Sequence, residues 1–133
     1  VIIDSSAIVA ILLKEDGHER VRERIVQASE VRVGASTVVE TGIVLVARMG
    51  VRGKTLLARF LQEGGIEVVP TTQEHWWIAV DAYERFGKHR HRASLNFGDC
   101  LTYATASVAG EPLLCIGDDF PETDLVLADE GSR

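Results

Sequence analysis

Val1-Ile2-Ile3-Asp4-Ser5-Ser6-Ala7-Ile8-Val9-Ala10-Ile11-Leu12-Leu13 decides the fold class. Residues 1–4 read as a short, fully buried strand, and residues 5–13 open directly from it as an apolar helix. A strand buried on both faces is continuously apolar, which is the mark of a parallel sheet covered by helices. The alternation continues downstream. Asp16-Gly17 breaks the first helix, and residues 17–29 form a more polar one with Val21, Ile25 and Val26 on one face. Residues 31–34 are a second strand.

The stretch 37–49 is rich in β-branched Val38, Val39, Ile43, Val44 and Val46, which suit a strand. Its length favours a helix, supported by a Thr37-x-x-Glu40 capping signature and by Gly50 as a stop. Residues 54–63 are another helix, closed by Gly64-Gly65, and residues 66–69 a strand ended by Pro70. Thr71-x-x-Glu74 opens an amphipathic helix to Gly87 with Trp76, Val80, Tyr83 and Phe86 facing inward. Residues 88–95 are a polar loop, and Asn96 caps a helix over 97–109. Gly110-Glu111-Pro112 turns into a strand over 113–116. A short helix or turn over 118–123 and an edge strand over 125–127 follow. The expected fold is α/β: one domain, 1–133, with a central, mostly parallel sheet of four to five strands between helical layers.

At 133 residues, with 46% hydrophobic and 26% charged, the chain can bury a core without disulfide or metal staples. Cys100 and Cys115 lie within hydrophobic elements and read as reduced, buried thiols. No apolar run approaches the ~20 residues of a membrane span, and no signal peptide is expected before the first strand. The net charge of −6 argues mildly against nonspecific nucleic-acid binding. The basic residues are uneven, however, and Lys88-His89-Arg90-His91-Arg92 forms a run upstream of Asp99.

Asp4, Glu40, Asp99 and Asp118 each sit where a strand ends or a helix begins. Singly, each has a structural explanation. Asp4 and Asp118 suit helix N-caps, Glu40 the third position of a capping box, and Asp99 the positive end of a helix dipole. Jointly they point elsewhere, because the carboxyl ends of parallel strands share one edge, where ligands bind. Two carboxylates ~4 Å apart repel by ~4 kcal/mol at an effective dielectric near 20. A hard divalent cation removes that penalty, and all-oxygen ligands suit magnesium or manganese. With no Cys or His near these positions, zinc is not the expected ion. Such a site can activate water and hold a scissile phosphate, which implies hydrolysis of a phosphodiester.

These motifs resemble the PIN-domain ribonucleases, and among them the VapC toxins of bacterial type II toxin–antitoxin systems. The resemblance covers nearly the whole chain. It rests on Ile2-Ile3-Asp4-Ser5-Ser6-Ala7, Ser36-Thr37-Val38-Val39-Glu40, Arg92-Ala93-Ser94-Leu95-Asn96-Phe97-Gly98-Asp99-Cys100, and Pro112-Leu113-Leu114-Cys115-Ile116-Gly117-Asp118-Asp119-Phe120. It implies a PIN-like α/β/α sandwich and a magnesium-dependent endoribonuclease in which manganese can substitute. It further implies a bacterial cytoplasmic toxin that cleaves RNA, a homodimer, and a higher assembly with a neutralising VapB-type antitoxin. By motif match Asp4, Glu40 and Asp99 carry over as metal-binding acids, with Asp118 as the fourth and Asp119 as its alternative. Ser6 resembles the motif's supporting hydroxyl, which could equally be a first-turn helix residue.

Lys88, Arg90 and Arg92 are candidates for contact with an RNA backbone, against the plain reading of a solvated loop. His89 and His91 could serve as acid or base, since histidine titrates near neutrality, or simply meet phosphate. Trp76 is expected in the core, with Trp77 pointing elsewhere. The all-round apolar helix 5–13 suggests burial by the sheet together with an antitoxin helix or a dimer partner. Two other classes compete. A phosphoacceptor receiver domain shares the doubly wound fold. It would need an acidic pair after the first strand, an Asp ending the middle strand and a late Lys, and all three are missing. A noncatalytic PIN-like module acting through a protein or RNA partner differs in leaving RNA intact.

Overall fold

The computed structural model describes residues 1–128. In chain order the elements are β1 (Ile2–Ile3), α1 (Ser5–Leu13), α2 (His18–Gln27), β2 (Arg32–Gly34), α3 (Ala35–Met49), α4 (Arg52–Glu63), β3 (Glu67–Val69), α5 (Gln73–Phe86), α6 (Phe97–Ala109) and β4 (Leu113–Leu114), followed by a 3₁₀ turn, Phe120–Glu122. The sheet has four strands in the order β3-β2-β1-β4. All pairs are parallel, with Ile2 opposite both Arg32 and Leu113, and Gly34 opposite Val69.

Successive strand residues face opposite sides, and two cores follow from that. Ile2 and Leu113 pack with Ala82, Phe86, Tyr103 and Ala104 of α5 and α6. Ile3 and Leu114 pack with Ile8, Val21, Leu45 and Leu57 of α1 to α4. The result is an α/β/α sandwich, as expected. The strand order also places a topological switch point. From β1 the chain winds outward to β2 and β3, then returns to lay β4 on the other side of β1. The crevice beyond the carboxyl ends of β1 and β4 is where such sheets bind ligands.

Several local expectations change. The helix after β2 begins at Ala35, with Gly34 as N-cap and no side-chain cap. Thr37 bonds across to Thr102 at 3.0 Å instead of capping. Glu40 therefore lies beyond the first turn, and the capping explanation for it falls away. The α5 capping box uses Thr72 and His75, one residue later than Thr71 and Glu74. The buried face also differs: His75, Ala79, Ala82 and Phe86 are buried, while Trp76, Val80 and Tyr83 are exposed. Small Ala residues let α5 pack closely on α6, which the larger side chains would prevent. Residues 125–127 form no edge strand, only a parallel bridge between Leu127 and Leu113. Burial of Ala7 to Ile11 is met inside this chain, by the sheet and by α2 and α3. Cys100 and Cys115 are free and buried. Among the described residues, no helix is long and apolar enough to cross a membrane.

Ile8 is 0% exposed and Val26 is 79% exposed, so the two sites separate core from surface. Ile8→Ala is expected to cost about 2–5 kcal/mol in urea unfolding, and Val26→Ala less than about 0.5 kcal/mol.

Candidate metal centre

Asp4 leaves β1 at the switch point and is held on both sides. Its backbone N–H donates to Leu114 O at 3.0 Å. Its Oδ2 accepts from Ser6 N at 3.1 Å and from Ser6 Oγ at 2.7 Å. Ser6 Oγ in turn accepts the Ile116 N–H at 3.0 Å, tying the exit of β4 to the carboxylate on β1. The other oxygen, Oδ1, is buried without a partner in a side chain only 4% exposed. A buried, unpaired carboxylate oxygen is costly unless a ligand satisfies it.

Asp99 sits in the first turn of α6. Asn96 and Asp99 form a reciprocal capping box, Asp99 N donating to Asn96 Oδ1 at 2.9 Å and Asn96 N to Asp99 Oδ2 at 3.0 Å. Burial pushes the Asp99 carboxyl up to about 6. The Asn96 hydrogen bond opposes that rise, and the charges of Asp4, Asp119 and Glu40 reinforce it. Glu40 reaches the same place from α3. A β-carbon at Gly98 would overlap its Oε2, so the carboxylate lies directly against the start of α6.

The four strand-end acids are thus not equivalent. The charges of Asp4 and Glu40 both act on Asp99. Of the adjacent pair beyond β4, Asp119 bears on both Asp99 and Cys115, and Asp118 is not among their charged neighbours. Both are exposed. The loop that carries them is fastened by Phe120 in the core, by an Arg92–Glu122 ion pair at 2.7 Å, and by Asp124. Asp124 accepts from Tyr103 OH at 2.6 Å and from Arg85 at 2.9 Å. Cys115 corrects one expectation, since a thiol does lie in the field of the acids. Burial first, then Asp4, Asp99 and Asp119, push it up to about 12, so it stays protonated. A neutral thiol is a poor zinc ligand.

The basic run is mixed. Lys88, His89, Arg90 and Arg92 are exposed. Arg92 is committed to Glu122, and Arg90 lies over the Tyr83 ring at 5.8 Å. His91 has a structural role: its Nδ1 accepts from Ala93 N at 3.0 Å and its ring packs edge-on against Phe86.

Among the described residues, no group of three His, Cys, Asp or Glu side chains is closed into a ready coordination shell. The donor set nonetheless fits a hard cation. It is made of carboxylates, Asp4 and Glu40 raising the proton affinity of Asp99, and it includes the orphaned Asp4 Oδ1. What the sequence reading missed here is the seam that aligns α3 with α6: the Thr37–Thr102 pair and Gly98. The glycine inside a helix, beside an acid, was the available signal.

A doubly wound α/β domain with acids gathered at its switch point is the class that fold and site define. Residues 1–125 match the PIN domain model. Ribonuclease VapC36 of Mycobacterium tuberculosis is 46% identical over 125 residues, covering 93% of this chain and 90% of that one. Ribonuclease VapC of Mycolicibacterium smegmatis is 38% identical, covering 93% and 96%. Among solved structures, the sarcin–ricin-loop-cleaving toxin VapC20 of M. tuberculosis superposes with a TM-score of 0.76 at 20% identity, over 94% of this chain and 95% of that one. FitAcB from Neisseria gonorrhoeae gives 0.66 at 18%, over 95% and 94%. This chain belongs to the PIN-domain family, on the branch of the VapC ribonucleases.

Asp99 holds its proton more tightly folded, near 6, than at its ordinary 3.8. Between those values the folded state carries more protons, so this group's contribution to metal-free stability falls as pH rises from about 4 to about 6. Asp99→Asn, which keeps a capping side chain, is expected to stabilise the metal-free protein by about 1 kcal/mol near pH 7.5 after allowance for its partial exposure, and by little near pH 4. Urea unfolding of both proteins at the two pH values measures this difference, and a pH-independent one would contradict it.

Proposed function

We propose that this chain is the toxin of a type II toxin–antitoxin pair, an endoribonuclease that hydrolyses RNA phosphodiester bonds with magnesium, manganese substituting. The observation that carries the reading is the convergence of Asp4 and Glu40 on Asp99 beyond the β1–β4 switch point, where their charges act on its carboxyl. A bound divalent cation would neutralise the phosphodiester and lower the pKa of water. The chain's own residues do the rest. Asp4, Glu40, Asp99 and Asp119 would hold the cation, with Asp119 favoured over Asp118 by its proximity to Asp99. Ser6 fixes the Asp4 carboxylate and the β4 exit in one geometry. An Asp99 carboxyl near 6 is ionised for most molecules at neutral pH, and cation binding would complete its ionisation. Lys88 and Arg90 would meet the RNA backbone, while Arg92 steadies the acidic loop.

Two surfaces support the expected partners. A groove between α1, α2 and α4, lined by Ile11, Leu12, Ile25, Val26 and Phe60 with Arg22 and Arg59 at its edge, suits an apolar antitoxin helix carrying acids. Exposed Trp76, Val80, Tyr83 and Phe97 form an apolar face across α5 and α6 that suits a homodimer. The working compartment in this reading is the bacterial cytoplasm.

Asp4→Asn and Asp99→Asn are each expected to reduce RNA cleavage by about 100-fold or more, as is chelation of divalent cations. Asp119→Asn should cost more than Asp118→Asn. Sequencing of RNA ends after induced expression, with Asp99→Asn as control, reads this out. Cleavage that persists in the purified Asp4 and Asp99 variants would sink the assignment. RNA bound but left intact by the unaltered protein with magnesium or manganese would identify a binding module instead.

A further inference from the structure

The seam between α3 and α6 is built from residues smaller and more polar than a helix contact requires. Three contacts run along it in antiparallel order: Gly34 against Thr105, Thr37 against Thr102, and Glu40 against Gly98. Thr41 bonds to Thr37 O at 2.7 Å and Thr105 to Leu101 O at 3.0 Å, so each uses its hydroxyl on its own helix. The Thr37 Oγ1–Thr102 Oγ1 bond, at 3.0 Å and buried, is the hydrogen bond that crosses the seam. Hydroxyls sharing a proton approach more closely than carbon atoms, which meet at about 3.5–4.0 Å. The pair therefore draws the two helices closer than apolar side chains of the same shape would.

Gly98 carries the second half of the argument. It lies inside α6, in right-handed helical backbone, where alanine is the better residue. Helix chemistry gives no reason for a glycine at this position. The reason on view is Glu40, whose Oε2 occupies the space a β-carbon would take. Glycine lets that carboxylate settle against the first turn of α6, beside Asp99.

We infer that Gly98 and the Thr37–Thr102 hydroxyl pair are positioning residues that set how close Glu40 stands to Asp99, and thereby the affinity of the rim for a divalent cation. The inference rests on the nuclease reading for the presence of the cation, and magnesium is a demanding judge of ligand placement. Neither group touches the cation itself.

Manganese titrated calorimetrically into the purified, cation-free protein tests this directly, with thermal melting recorded alongside. Gly98→Ala is expected to melt at the same temperature or higher while its Mn²⁺ affinity falls about 10-fold or more. A merely structural glycine would move neither quantity, or would lower both. The double variant Thr37→Val, Thr102→Val leaves no hydroxyl unpaired and is expected to stay folded with similarly weakened binding, whereas Thr102→Ser keeps the bond and should retain the affinity. Gly98→Ala binding Mn²⁺ within about twofold of the unaltered protein would overturn the inference, and it decides the matter even if the double variant does not fold. An unaltered protein that binds no Mn²⁺ overturns the inference and the nuclease reading together. Mn²⁺ binding that weakens as expected in a protein that never cleaves RNA leaves the inference standing and removes the nuclease reading alone.

Discussion

Carboxylates gathered on one poorly hydrated edge repel one another, and much of this molecule is arranged to hold them there regardless. The parallel sheet sends the outgoing ends of β1 and β4 to the same rim. The cap of α6 brings Asp99 to that rim, and α3 delivers Glu40 against the first turn of α6. The Asp99 carboxyl near 6 records the combined effect of burial and neighbouring charge. Such an arrangement is unfavourable in isolation. A bound cation of the kind proposed would offset that repulsion.

Capping and ligation are not rivals at this rim. Asp4 turns one oxygen to the start of α1 and leaves the other buried and unpaired. The carboxylate is thereby immobilised by the bonds that begin a helix, with its free lone pairs held in a fixed direction. Asp99 is restrained in the same way by Asn96. Ligands that are rigid before a cation arrives lose little conformational freedom on binding it. Helix initiation thus supplies the preorganisation that a catalytic site needs.

The sequence disclosed the fold well because strands and helices alternate with clear punctuation. The boundaries of α1 and α6 were readable to the residue, since Asp4 and Asn96 are strong caps and Gly110 ends α6 with φ at 65°. Asp4 and Asp99 were readable as candidates because one follows a strand and the other opens a helix, and Glu40 because it is the lone charge between Gly34 and Ala47. Three things were not. The face of α5 was misjudged because Trp76, Val80 and Tyr83 have the periodicity of a core, while alanines one position away do the packing. The role of Thr37 was mistaken because a Thr-x-x-Glu spacing is common to caps and to helix seams, and only the position of Ala35 as the first helical residue separates them. The order of Asp118 and Asp119 around the rim depends on the turn after Gly117, whose φ of 112° reorients the chain in a manner no periodicity reveals.

The Ser6 hydroxyl joins Asp4 to Ile116, residues from opposite ends of the described chain. Synthesis makes β1 before its neighbour β4. A nascent chain that has completed β1, β2 and β3 still has one side of β1 open, with neither the Ile116 amide nor Asp119 in place. Domains fold as units during synthesis. Here the sheet closes only when β4 arrives, so the acidic rim assembles after β1, β2 and β3 have all been made. Order of synthesis alone keeps a polypeptide that has not yet reached β4 from carrying the complete acidic rim.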